Sequence, residues 1–79
     1  MKSKVEKIMS KPYNVVINPI KDGTGLYYYG KVLEFDGCQS TGATYDEAYN
    51  NLQEAMHGWI EKKLQAGYSI PKPFERRRV

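Results

Sequence analysis

Cysteine is nearly absent from this chain. Cys38 is the only one in 79 residues, so neither an internal disulfide nor a metal-binding cysteine pair can form. The expectation is a reduced thiol in a cytoplasmic protein, buried as a small apolar residue. It has no evident base beside it in sequence and none of the basic setting that lowers a thiol pKa. Histidine is equally scarce: His57 stands alone, with no second histidine or cysteine to share a metal. No apolar run approaches the roughly 18–20 residues that span a bilayer. The opening MKSKVEKIMSK has no apolar core of signal-peptide length. A glycine-rich phosphate loop is also missing, because Gly23-Thr24-Gly25 lacks the following lysine and helix. A ribonuclease-H-type site requires about three or four carboxylates converging on divalent metal. Asp22 sits in a turn cluster and Glu47 at a helix start, so only Glu34 and Asp36 come near that pattern. They read as a solvated acidic loop. These absences argue against an enzyme and assign no catalytic residue, metal or cofactor.

What is present fits one small domain spanning residues 1–79. A chain of this size buries only roughly 60% of its unfolded surface, so association is a common source of further stability. The formal net charge is +3, but its distribution matters more than its sum. Residues 1–11 carry four lysines against one glutamate, and residues 72–79 carry Lys72, Arg76, Arg77 and Arg78 against Glu75. The middle holds four lysines against seven acids. The body is acidic and the two ends are basic, which weakens the case for a folded nucleic-acid surface.

One stretch organises the rest: Thr44 to Gly67, TYDEAYNNLQEAMHGWIEKKLQAG. Thr44 and Glu47 form a capping box. Asp46 and Glu47 suit the positive end of a helix dipole, and Lys62 and Lys63 suit the negative end. Gly67 fits a left-handed cap. Tyr45, Ala48, Tyr49, Leu52, Ala55, Met56, Trp59 and Ile60 recur every three or four residues and predict one apolar stripe. His57 falls off that stripe and is expected at the surface.

Residues 2–10 predict a short helix with Val5, Ile8 and Met9 on one side, stopped by Pro12. Tyr13 to Asn18 alternates and predicts a strand, with Pro19 at its end. Asp22-Gly23-Thr24-Gly25 is a turn, and Leu26 to Leu33 is the return strand of a hairpin. Gly30 within it calls for a bulge or for a close approach by something bulky, with Trp59 the natural candidate. Cys38 to Gly42 is a third strand. Residues 74–79 read either as a final strand or as a basic tail. The expected class is α+β: an antiparallel three-stranded sheet covered on one face by one long helix. The other face then shows Tyr27, Tyr29, Leu33 and Val16, an apolar and aromatic patch of the kind that binds another chain.

Several of these residues form a recognisable order. Tyr27-Tyr28-Tyr29-Gly30-Lys31-Val32 is followed by an acidic connection, Gly37-Cys38, then Gly42 with Thr44, Glu47 and Ala48. Asn51, Glu54-Ala55, Trp59 and the exit Ile70-Pro71-Lys72-Pro73 complete it. The set resembles the HicB antitoxin family over roughly Tyr13 to Pro73. The resemblance implies a partial ribonuclease-H-like β-β-β-α-β fold that masks the active site of a small HicA-type toxin, a ribonuclease that uses a histidine. Many members of that family add a C-terminal DNA-binding domain. Here six residues follow Pro73, so DNA binding is not expected of this chain alone. Leu33-Glu34-Phe35-Asp36 also lacks the prolines usual in the family at that connection.

The function expected from sequence is therefore an antitoxin-like module that neutralises a HicA-type, mRNA-cleaving toxin by direct contact. The alternatives are an orphan homo-oligomeric module, or a minor RNA-binding activity through the basic ends. Tyr27, Tyr29 and Leu33 are the candidate interface, facing either a partner or a second copy in a dimer or tetramer, unless they pack within the chain. Arg76, Arg77 and Arg78 are candidates for contact with nucleic acid or an acidic partner. The same three arginines also fit a solubilising tail or a charge-protected edge strand. No membrane association is expected.

Overall fold

The computed structural model describes residues 3–74. Its elements run α1 (Lys4–Met9), β1 (Val15–Asp22), β2 (Gly25–Val32), β3 (Gln39–Gly42) and α2 (Tyr45–Gln65). The three strands form one antiparallel sheet in the order β1-β2-β3. The class is α+β, as the patterning predicts.

The hairpin turns at Gly23-Thr24. The Asp22 carboxylate accepts the Thr24 amide at 2.9 Å and its hydroxyl at 2.6 Å, and Gly25 takes a φ of 127°, which a side chain would oppose. The first strand runs past Pro19 instead of ending there. Pro19 stands opposite Tyr28. Val32 N–H bonds toward β3 and Leu33 N–H toward Asn14, so by alternation Tyr28 bonds toward β3. Pro19 then falls in a non-hydrogen-bonded pair with its nitrogen on the free edge, and its missing N–H costs no ladder bond.

Helix α2 starts and stops where its signals place it. Thr44 Oγ1 accepts the Glu47 amide at 3.1 Å. The reciprocal arm reaches one residue further back than the capping box implies, with Glu47 Oε1 accepting from Ala43 N–H at 3.3 Å. Gly67 follows at a φ of 83°. The buried spine is Ala48, Leu52, Met56 and Ile60. Tyr45 and Tyr49, expected in the stripe, are 54% and 43% exposed. The sequence pattern does not separate these two rings from the covered spine. Tyr45 meets Tyr28 edge-on, with centroids 6.3 Å apart.

Two glycines set how closely α2 approaches the sheet. A Cβ on Gly42 would collide with the Ala48 backbone nitrogen and lie 2.8 Å from Ala48 Cα. A Cβ on Gly30 would meet Leu52 at 3.3 Å and Ile17 at 3.2 Å. Leu52, not Trp59, is therefore the bulky neighbour that Gly30 admits. Trp59 instead stacks on Phe35 at 4.3 Å with the rings 8° apart, and donates from Nε1 to the Asp36 carbonyl at 2.9 Å. Phe35, Val32, Cys38 and Ile8 complete the core with the α2 spine. Each large apolar side chain buried there contributes about 1.5–3 kcal/mol. Helix α1 docks Ile8 into this core beside α2, so both helices lie on one face of the sheet.

Candidate functional site

With both helices on one side, the opposite face of the sheet carries the side chains that alternation directs away from them. The strand register puts Val16 beside Lys31, Asn18 beside Tyr29 and Ile20 beside Tyr27. On the other flank Thr41 pairs Tyr29 and Gln39 pairs Lys31. Tyr29 is therefore central, with Asn18 on one side and Thr41 on the other. Its hydroxyl donates to Gln39 Oε1 at 2.5 Å, which fixes the ring across the face. Tyr27 and Tyr29 are half-buried by these neighbours, and Leu33 is 37% exposed. A depression of about 310 Å³ opens at this end, lined by Tyr29, Lys31, Leu33 and Gln39.

The structure thus brings together the three residues expected at an interface, Tyr27, Tyr29 and Leu33. Packing of the tyrosines beneath the N-terminal helix is excluded, because α1 lies on the other face. Arg76, Arg77 and Arg78 lie outside the described residues. Sequence reasoning missed Gln39 and Asn18, whose places beside Tyr29 follow only from the strand register.

Glu34 corrects the sequence reading most sharply. It is 6% exposed and is no solvated loop acid. Its oxygens accept the Asn14 backbone N–H at 3.0 and 3.2 Å, the Asn14 side-chain amide at 2.8 Å and the Phe74 N–H at 2.9 Å. Burial alone pushes this carboxyl up. The Phe74 and Asn14 donors outweigh that effect and hold it below the ordinary carboxylate value. The same corner ties Tyr13 Oη to the Pro71 carbonyl at 2.6 Å. Burial, and then the Glu34 charge, push the Tyr13 phenol up. Glu34 therefore fastens the Ile70–Phe74 exit to the start of β1. Its oxygens are taken up by donors, which is a structural role. Asp36 lies exposed nearby. Among the described residues no group of three or more His, Cys, Asp or Glu side chains is placed to hold a metal ion.

The remaining chemistry-bearing residues are dispersed. Cys38 is buried, and desolvation pushes its thiol up, away from the reactive thiolate. His57 is exposed on α2, its Nδ1 lying 2.5 Å from Glu61 Oε1 one turn on. No helix among the described residues is long and apolar enough to cross a membrane. The face can offer phenol rings, carboxamides, a lysine and aliphatic side chains, a set suited to contact with a protein surface.

Similarity to known proteins covers the same sheet-and-helix unit. Over 60 residues, 76% of this chain, it is 35% identical to UPF0150 protein Ta0767 of Thermoplasma acidophilum, covering 83% of that protein. Over 60 residues it is 33% identical to UPF0150 protein ssr1765 of Synechocystis sp., covering 72% of that protein. No solved structure gives a significant match. Residues 14–71 match the family described as UPF0150-like, from the start of β1 through the segment that Glu34 and Tyr13 hold down. The chain belongs to the UPF0150-like family.

Proposed function

We propose that this chain is a HicB-like, antitoxin-type binding module. It neutralises a small HicA-type ribonuclease toxin in the cytoplasm by laying the open face of its sheet against that partner. It acts by contact and not by catalysis. The observation that carries this reading is the one-sided layering: both helices cover one face, and the other presents Tyr27, Tyr29 and Leu33 together. The order β-β-β-α fits the described part of a ribonuclease-H-like antitoxin fold, and the ordered motif set from Tyr27 to Pro73 adds support. Tyrosine supplies large contact area with few torsions to freeze, so such a face binds at low entropic cost.

The test is co-expression with a small HicA-type ribonuclease toxin. The expected result is a complex that co-elutes on size exclusion and relieves the growth arrest caused by that toxin alone. Separate elution together with unrelieved arrest overturns the proposal.

A further inference from the structure

Helix α2 contains a glycine that the fold does not use. Gly58 lies mid-helix, where glycine is less favourable than alanine. A Cβ added there meets nothing within 4 Å among the described residues. Gly58 faces a groove of about 320 Å³ whose helix wall is Ala55, Gly58, Trp59 and Lys62 and whose other side is Gly37, Cys38 and Gln39. That groove opens beside the start of β3. Cys38 O accepts from Val32, so Cys38 and Ser40 bond inward to β2. Gln39 and Thr41 then direct their backbone groups outward. Asn51 Nδ2 caps the Thr41 carbonyl at 2.9 Å. The Gln39 N–H and C=O are left facing out of the sheet.

We infer that β3 and the adjoining flank of α2 form a two-fold interface between two copies of this chain, centred on Gln39 and Gly58. A two-fold axis normal to the sheet pairs β3 with its copy antiparallel, and Gln39 faces its own counterpart as a hydrogen-bonded pair. The same axis sets the two α2 helices side by side and antiparallel. Because α2 lies over β2 and β3, a strand added at β3 brings the helices together, and Gly58 provides the clearance. The charges on this flank are self-complementary. Glu54 and Lys62 stand four residues before and after Gly58, so antiparallel pairing about Gly58 sets each Glu54 opposite the other copy's Lys62. Both are exposed, and neither forms an ion pair among the described residues. Asn51 and Gln65, seven residues either side, meet in the same way. An isologous contact requires this pattern. It also leaves the tyrosine face free on both copies.

Charge exchange in the intact chain tests the inference, with mass in solution measured by sedimentation equilibrium and folding checked by circular dichroism. The wild type is expected to be a dimer. Glu54→Lys and Lys62→Glu are each expected to weaken it by more than about tenfold, because each sets like charges across the axis. Mixing the two single variants is expected to give a heterodimer, and the double variant E54K/K62E is expected to dimerise again. A wild-type monomer up to the millimolar range overturns the inference. So does a dimer indifferent to both single substitutions, or two folded single variants that fail to pair with each other.

Discussion

Glu34 and Asn14 join the two ends of the hairpin to the end of the chain's described part. The Asn14 backbone N–H lies 3.0 and 3.2 Å from the two carboxylate oxygens, and its side-chain amide donates to one of them at 2.8 Å. The Asn14 amide also donates to the Phe74 carbonyl at 3.2 Å, while Phe74 N–H returns a bond to Glu34. One buried carboxylate therefore sets where the Ile-Pro-Lys-Pro exit leaves the sheet.

Glu34→Gln tests this directly. The substitution keeps the shape but removes the charge and replaces one acceptor with a donor that faces other donors. Hydrogen bonds to a charged group contribute about 1.5–3 kcal/mol, and loss on that scale is expected in chemical denaturation. In a domain of this size each kcal/mol shifts Tm by about 4–8 °C. Trp59, the only tryptophan, stacks in the core and reports unfolding by fluorescence.

Acid should act through the same group. The folded state holds Glu34 ionised to lower pH than the unfolded chain does. Its contribution is fully present above the unfolded value of about 4.3 and is lost as pH falls through the lower, folded value. Asp22, depressed chiefly by the Thr24 hydroxyl and then by the Thr24 amide, acts in the same direction. Thermal melts from neutral pH into the acid range are expected to show a falling limb in the wild type and a shallower one in Glu34→Gln.

Gly42 and Gly58 are expected to respond oppositely to alanine. At Gly42 the new methyl enters the α2 backbone at Ala48, which cannot give way as a flexible side chain would. A loss of about 3 kcal/mol or more is expected, at the upper end of overpacking costs. At Gly58 the methyl meets nothing within 4 Å in the single chain, and the helix of the monomer is expected to gain up to about 1 kcal/mol. Urea titrations of the two variants, at concentrations low enough to keep the chain monomeric, check the contrast.

Much of this architecture is legible in the sequence, because local rules and tertiary packing agree there. The caps at Thr44 and Gly67, the Ala48–Ile60 spine and the Asp22–Gly25 turn are written in spacings of a few residues. What the sequence hid depends on register between distant segments. Glu34 reads as a loop acid until Val15 is known to pair Val32, which sets Asn14 beside it. Gln39 becomes a partner of Tyr29 only once Thr41 is known to face that ring. The same periodicity that marks the spine also admits Tyr45 and Tyr49, because apolar spacing does not record which positions the rest of the chain covers. Gly30 correctly announced a close neighbour, but the neighbour's identity depends on how α2 crosses the strands.

The central claim is that the tyrosine face of the sheet is the binding surface. It is tested most directly by titration calorimetry of a small HicA-type ribonuclease toxin against wild type, Tyr27→Ala and Tyr29→Ala. Anchor residues at such interfaces cost about 2 kcal/mol or more when truncated, roughly thirtyfold in Kd. The account calls for losses of that order in both variants, with their melting curves showing them still folded. Unchanged affinity in two folded variants would contradict it.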